Sequence, residues 1–427
     1  MQTATSNLRR TLSAVASALT VWAASGVWAA DWPQWRGPQR NGSSQETGLL
    51  KQWPKDGPRL LWQMKDIGSG YSTPAVVGER LYVLSNSSTN EECVQARQVA
   101  DGKPVWSTRI GRVGNPDQQP SYPAARSTPT VDGERLYALG SDGDLSCLDA
   151  ATGNVRWQKH LRAEFGGQPG RWAYAESPLI DGDVLICTPG GAQATLAALS
   201  KTTGETIWTC AVPGGDQAGY ASAIIVEAGG VRQYVQFLQK GLVGVEAKTG
   251  KFLWRYDKIG GAPASIPTPV ARDGLIYGAA NRAGGGQIRL KVTQGAVEAE
   301  QVYYGPNLPT AIGGTVLVGD YLYGAALTLM CVDFKTGDVK WTASSGGAGS
   351  LCYADGRLYV HAENGDVALV DASPDGYREE GRFAPPEPPE RGLSKAWAYP
   401  VVANGRLYIR DLGCLWCYDI KDATATQ

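Results

Sequence analysis

A short segment, Gly-x-x-x-Trp, recurs through most of the chain and constrains its fold more than any other feature. It runs from Gly102 to Trp106, Gly153 to Trp157, Gly204 to Trp208, Gly250 to Trp254 and Gly337 to Trp341, in fuller forms such as Ala-Thr-Gly-Asn-Val-Arg-Trp and Lys-Thr-Gly-Asp-Val-Lys-Trp. The first four tryptophans are spaced by 51, 51 and 46 residues, and the interval of 87 before Trp341 leaves room for one degenerate unit. Such a period suits four short strands with their turns. Within each unit a Pro-x-Val-like strand, a Gly turn and an apolar strand follow in order, as in Pro74 to Val83, Pro129 to Ala138, Pro178 to Ile186, Pro269 to Tyr277 and Pro400 to Ile409. Asp132-Gly133, Asp142-Gly143, Asp181-Gly182, Asp355-Gly356, Asn364-Gly365 and Asn404-Gly405 are hairpin turns, because these pairs tolerate positive φ. The units are antiparallel meanders.

First strands starting near Ser72, Ser127, Glu176, Ala221, Ile266, Gly314, Ser350 and Ala398 make eight units. The last runs out after Cys417 to Ile420 without a Trp-bearing outer strand, whereas Arg59 to Trp62 stands at the start with no inner strand before it. The predicted fold is therefore all-β: an eight-bladed β-propeller of four-stranded antiparallel blades, its ring closed by an N-terminal strand so that no free edge remains. Residues 31–427 are expected to form a single domain, because no blade can bury both faces alone. The 54 glycines and 14 tryptophans against 3 methionines suit turns and ring stacking.

Residues 1–30 read as a signal peptide, with Arg9 and Arg10, an apolar stretch from Leu12 to Trp22, and small residues at Ala29 and Ala30. A soluble, periplasmic or otherwise extracytoplasmic protein is the expectation; a retained N-terminal anchor is the alternative. No later segment offers the roughly 20 consecutive apolar residues of a membrane span. With 40 basic and 41 acidic residues spread along the chain, nothing marks a nucleic-acid partner. A monomer is expected. Of eight cysteines only Cys414 and Cys417 have motif spacing. A c-type haem requires His where Tyr418 stands, and His160 and His361 are too few to complete a zinc site. Residues three apart on a strand point to opposite faces, so this pair reads as packing.

The repeat resembles the tryptophan-docking propeller repeat of pyrroloquinoline-quinone enzymes and their cofactor-free relatives, over nearly all of residues 31–427. The opening Asp31-Trp32-Pro33-Gln34-Trp35-Arg36-Gly37-Pro38 is similar to the start of exported bacterial proteins built from quinone-like propeller repeats. The resemblance implies that each outer-strand tryptophan stacks on the Gly-bearing turn of the neighbouring blade, tying the sheets into a girdle.

Propellers concentrate function at the channel rims, on loops leading into the innermost strands. Here those loops carry Tyr71, Arg126, Trp172, Tyr174, Glu176, Tyr220, Trp397 and Tyr399. The candidate ligand-binding rim is Arg126, Trp172, Tyr174, Glu176, Trp397 and Tyr399: the rings stack on a flat or sugar-like ligand, and Arg126 and Glu176 supply charge. The alternative is that the aromatics plug the channel. No catalytic residue and no metal ligand is assigned. A quinoprotein dehydrogenase requires a planar quinone, a Ca²⁺ held by oxygen ligands and a carboxylate base, for which Glu176, Asn281 and Asp411 are the polar candidates. The disulfide between adjacent cysteines that the resemblance implies over such a cofactor has no counterpart, since no two cysteines are adjacent. Ala311-Ile312 and Tyr399 stand where some relatives carry histidines. The Pro-rich stretch Phe383 to Arg391 reads as a stiff spacer.

The leading expectation is a non-enzymatic envelope scaffold, without cofactor, that binds an envelope protein or a glycan through one rim. In architecture it resembles the propeller lipoproteins of outer-membrane assembly machinery, without their lipid-bearing cysteine. The alternatives are a pyrroloquinoline-quinone- and Ca-dependent alcohol or sugar dehydrogenase and a carbohydrate-binding propeller.

Overall fold

Short apolar runs broken by Asp-Gly and Asn-Gly turns produce eight four-stranded antiparallel sheets in the computed structural model. The structure describes residues 31–115, 125–344 and 347–424; the leader expected over residues 1–30 lies outside them. Innermost strands are Ala75–Val77, Thr130–Asp132, Leu179–Asp181, Ile224–Ala228, Val270–Arg272, Thr315–Val318, Gly349–Ala354 and Val401–Ala403, which we number blades 1 to 8. Each begins within a few residues of its expected start. Ring closure is as expected: Arg59–Met64 pairs antiparallel with Cys414–Asp419 and becomes the outer strand of blade 8. Facing sheets bury one another's apolar side chains, as where Leu139 and Leu145 of blade 2 pack with Leu185 and Leu199 of blade 3. One short α-helix, Leu161–Phe165, interrupts the β pattern among the described residues. None of their helices is long and apolar enough to cross a membrane.

The outer strand of each blade carries a register shift, and in blades 1, 2, 3, 5, 6 and 8 it falls just before the residue that reaches the next blade. In blade 3, Ala198 pairs with Trp208 and Leu199 with Thr206, leaving Ile207 as an extra residue. A bulge of this kind bends the strand and re-aims the side chain that follows. The ring then lies on the neighbouring Gly turn. Trp62, Trp106, Trp157, Trp208 and Trp341 donate Nε1–H to Val99, Ala150, Lys201, Ala247 and Ser373 carbonyls of the next blade at 2.8–3.2 Å. At Gly153, φ is +76° and an added Cβ would lie 2.6 Å from the Trp106 ring, so only glycine fits beneath it. The degenerate fifth unit has Tyr303 at this position, with Oη donating to the Phe334 carbonyl. Blade 5 also has ten-residue strands, Gly284–Thr293 and Ala296–Gly305, whose turn lies farther out. Trp254 accordingly donates to Gln233 Oε1 within its own blade.

The segment 31–49 does something its linear pattern does not disclose: it crosses one face of the channel and bonds to every blade. Trp32 exchanges two backbone hydrogen bonds with Val76 of blade 1, and the Pro33 carbonyl accepts from Val131 of blade 2. Arg40 donates to the carbonyls of Ser177, Pro178 and Ala223 in blades 3 and 4. Trp35 Nε1–H reaches Thr268 Oγ1 of blade 5, and Arg36 reaches the Thr315 carbonyl of blade 6. Gly42 and Ser44 pair with Tyr353 of blade 7, and Glu46 accepts from the backbone of Asn404 and Gly405 in blade 8. The hallmark opening residues are thus a plug.

Candidate functional site

With one end sealed by this plug, the channel is a cup that opens on the face of the loops leading into the innermost strands. Its cavity measures about 540 Å³. Trp35 forms the floor, edge-on to Tyr399 at 4.7 Å between centroids, while Tyr399 Oη donates to the Ile312 carbonyl at 2.7 Å. Beneath it the buried Arg36 guanidinium lies 5.7 Å from the Tyr399 ring. On one side Tyr71 and Trp397 are 5.4 Å apart; on the other Trp172 and Tyr220 are 6.0 Å apart, and Tyr220 Oη accepts from the Trp172 backbone N–H. Gly170 permits that contact, since a Cβ there would sit 2.4 Å from Tyr220 Oη. Arg126, Arg171, Arg282, Asn281 and Thr310 complete the polar lining, with the Arg171 guanidinium 5.3 Å from the Trp172 ring. No aspartate or glutamate lines the cavity among the described residues.

Of the six rim residues read from sequence, Arg126, Trp172, Trp397 and Tyr399 meet in this cup, and Tyr71 and Tyr220 join them. Tyr174 and Glu176 do not. Ala173 adopts a left-handed φ of 71°, and Tyr174 N–H bonds to the Ser141 carbonyl, which turns the Tyr174 ring into the layer between blades 2 and 3. Its Oη there donates to the Pro189 carbonyl at 2.8 Å. Glu176 follows Ala175, which faces the cavity, and alternation along extended backbone sends the carboxylate into the wall. Only 2% exposed, it accepts a hydrogen bond from Gln236. Burial pushes its pKa up to about 8, against the opposing pull of Thr188 and Arg40. The floor residue Trp35 and the wall residues Arg171 and Arg282 were missed. Trp35 arrives from another part of the chain, so no linear signal near the loops could have found it.

A quinone with Ca²⁺ finds a poor donor set. Of Glu176, Asn281 and Asp411 only Asn281 borders the cup. Asp411 accepts from Arg391 Nε at 2.7 Å. A hard cation needs several oxygen ligands, carboxylates foremost, and three arginines line the cavity instead. The residues present do not fit the metal. All eight cysteines are buried free thiols; burial raises the Cys187 thiol pKa well above its ordinary value and that of Cys417 to about 12. A separate trio, Asp142, Asp144 and His160, is near enough to hold a metal, but Asp142 is already ion-paired with Arg162.

The channel wall is rich in buried cations. Arg410 donates to the carbonyls of Ser72, Leu84, Gly68 and Leu412. Burial pulls its pKa down to about 9 and that of Arg40 to about 10. These guanidiniums satisfy carbonyls at the ends of the inner strands.

A family model described as outer membrane protein assembly factor BamB matches residues 90–343. The chain is similar to the outer membrane protein assembly factor BamB of Salmonella typhimurium, 25% identical over 116 residues that make up 27% of this chain and 26% of that protein. It is also similar to the quinoprotein alcohol dehydrogenase PedH of Pseudomonas putida, 24% identical over 267 residues, 58% of this chain and 42% of that one. The matched segments span less than half of either relative. Among solved structures, BamB from Moraxella catarrhalis superposes with a TM-score of 0.59 at 16% identity, covering 84% of this chain and 98% of that one. The quinohemoprotein alcohol dehydrogenase ADHIIG from Pseudomonas putida HK5 gives 0.66 at 13% identity, covering 92% and 81%. These structures share the fold.

Proposed function

The chain belongs to the outer membrane protein assembly factor BamB family, and from that premise we propose that it is an exported, non-enzymatic β-propeller scaffold of the cell envelope that seats a protein partner on the open rim of its channel. In this reading residues 1–30 are a cleaved leader, and residues 31–427 act as one monomeric unit in the periplasm or an equivalent compartment. The observation that carries it is the one-ended channel. Segment 31–49 closes one face, and the aromatic cup opens on the other. Loops there are anchored by rigid blades, which suits recognition. The metal ligands of a dehydrogenase are not gathered in the cup, which supports a binding role over a redox one.

The test is site-specific photo-crosslinking in intact cells. A crosslinker placed at Leu327 on the open face should form adducts with envelope proteins, and one at Ile207, 53% exposed on an outer strand, should not. Fractionation and N-terminal sequencing of the same material should find the chain outside the cytoplasm, beginning at Ala30 or Asp31. Saturable binding of pyrroloquinoline quinone with Ca²⁺, coupled to dye reduction, would replace this reading with the dehydrogenase.

A further inference from the structure

The composition of the cup narrows the chemistry of what enters it. Its polar side chains are donors more than acceptors: Arg126, Arg171 and Arg282 border it, and a guanidinium accepts nothing. A neutral sugar presents hydroxyl protons that call for carboxylate or carbonyl acceptors, and no carboxylate lines this cavity among the described residues. A carboxylate ligand matches a guanidinium in charge and in paired hydrogen-bond geometry. The rest of the wall is aromatic, with Trp35, Trp172, Tyr220 and Trp397 presenting ring surface. The cup is therefore built for an apolar flat group flanked by negative charge.

The surroundings of the mouth indicate a chain more than a small molecule. Leu327 is 89% exposed and Leu393 is 86% exposed, the two most exposed large apolar side chains described. Leu327 tips the hairpin between Tyr321–Ala325 and Leu329–Asp333, and the Ala325 carbonyl accepts from Thr310 and Ala311 beside the cup wall. Leu393 lies in the loop that delivers Trp397 to the wall; Ala396 of that loop is held by the Glu363 carbonyl. Both leucines thus stand on the face on which the cavity opens. Exposed apolar side chains around a polar-anchored cavity extend a recognition surface beyond it.

We propose that the cup binds an acidic peptide segment of the partner. A Tyr or Phe ring enters over Trp35, flanking Asp or Glu carboxylates pair with Arg171, Arg282 and Arg126, and neighbouring apolar residues rest on Leu327 and Leu393. The inference deepens the scaffold reading and rests on it, since that reading supplies a protein partner at this rim.

The experiment uses the full mature chain and a fluorescein-labelled, C-terminally amidated peptide, Gly-Glu-Asp-Tyr-Glu-Leu-Gly, followed by anisotropy. Saturable binding that weakens with added salt is expected. Replacing the three acidic residues by Gln and Asn in the peptide should weaken binding at least tenfold. Arg171→Gln and Arg282→Gln, both at exposed positions, should each weaken it about tenfold. A Leu327→Gln, Leu393→Gln double variant should weaken it further without altering the salt dependence. Equal binding of the neutral peptide, indifference to both arginine variants, absence of binding by either peptide, or preference for an oligogalacturonate over the acidic peptide would each overturn the proposal. Crosslinking from Leu327 in cells separates the two levels: rim adducts without acidic-peptide binding would sink the ligand class alone, and loss of rim adducts would sink the scaffold reading.

Discussion

Replacing Glu176 by glutamine should flatten the dependence of stability on pH between about pH 5 and 8. The carboxyl is fully enclosed, and burial raises its pKa to about 8 from an ordinary value of 4.5. In the unfolded chain it ionises near the ordinary value; in the folded chain it keeps its proton until about pH 8. Between those limits the folded state holds more protons than the unfolded one, so stability falls as pH rises and levels off above the folded pKa. At about 1.4 kcal/mol per pH unit, the loss attributable to this residue from pH 5 to pH 8 is on the order of 3 kcal/mol. Glutamine cannot ionise, and it retains an oxygen for Gln236 to bond. The variant should match the wild type near pH 5 and exceed it at pH 8 by that amount. Glu92, raised to about 7 by burial, contributes its own slope to both proteins and cancels in the comparison. Urea unfolding followed by tryptophan fluorescence at pH 5 and 8 measures the difference, with equal m-values as the check that the unfolded states correspond. Parallel pH profiles for the two proteins would refute the burial argument, and so would a variant that loses stability at pH 8.

The plug can be tested at Arg40: Arg40→Met should remove the side-chain donor to the carbonyls of Ser177 and Ala223, and leave Pro178 only its bond from Thr130, at a cost of about 3 kcal/mol or more in a denaturant titration. Because Arg40 favours the ionised form of Glu176, the same variant should move the Glu176 titration to higher pH. The contact between blades predicts an asymmetry between two glycines that both have positive φ. Gly133→Ala, with open space around the added methyl, should cost about 1 kcal/mol, whereas Gly153→Ala must also displace the Trp106 ring and should cost about 1–3 kcal/mol more, as read by thermal unfolding. Finally, a thiol reagent added to native protein should modify none of the eight cysteines quickly and all eight in denaturant, because every thiol is buried and unpaired; rapid native labelling or a missing thiol would contradict this packing.

How much of the site was legible varied residue by residue. Arg126, Trp172, Trp397 and Tyr399 were found because each lies a few residues before an innermost strand, and the repeat shows where those strands begin. Tyr174 and Glu176 satisfy the same rule yet point elsewhere, since one left-handed residue at 173 and the alternation of an extended chain decide side-chain direction. Those are conformational facts that position in the repeat does not carry. Tyr303 and the long blade 5 hairpin explain why a tryptophan was lacking in the interval of 87 residues, and why Trp254 turns inward.

The all-β class, the count of eight and the closure of the ring by Arg59–Met64 were determined by sequence alone, because a repeated unit must bury its faces on copies of itself and the unmatched strands at the two ends have only each other to pair with. The sealed channel, the floor made by Trp35, and the mustering of three arginines without a carboxylate were decided only by the tertiary structure. Those residues lie up to hundreds of positions apart, and their meeting depends on where a closed ring brings its loops and on how a segment with no repeat of its own threads across the channel.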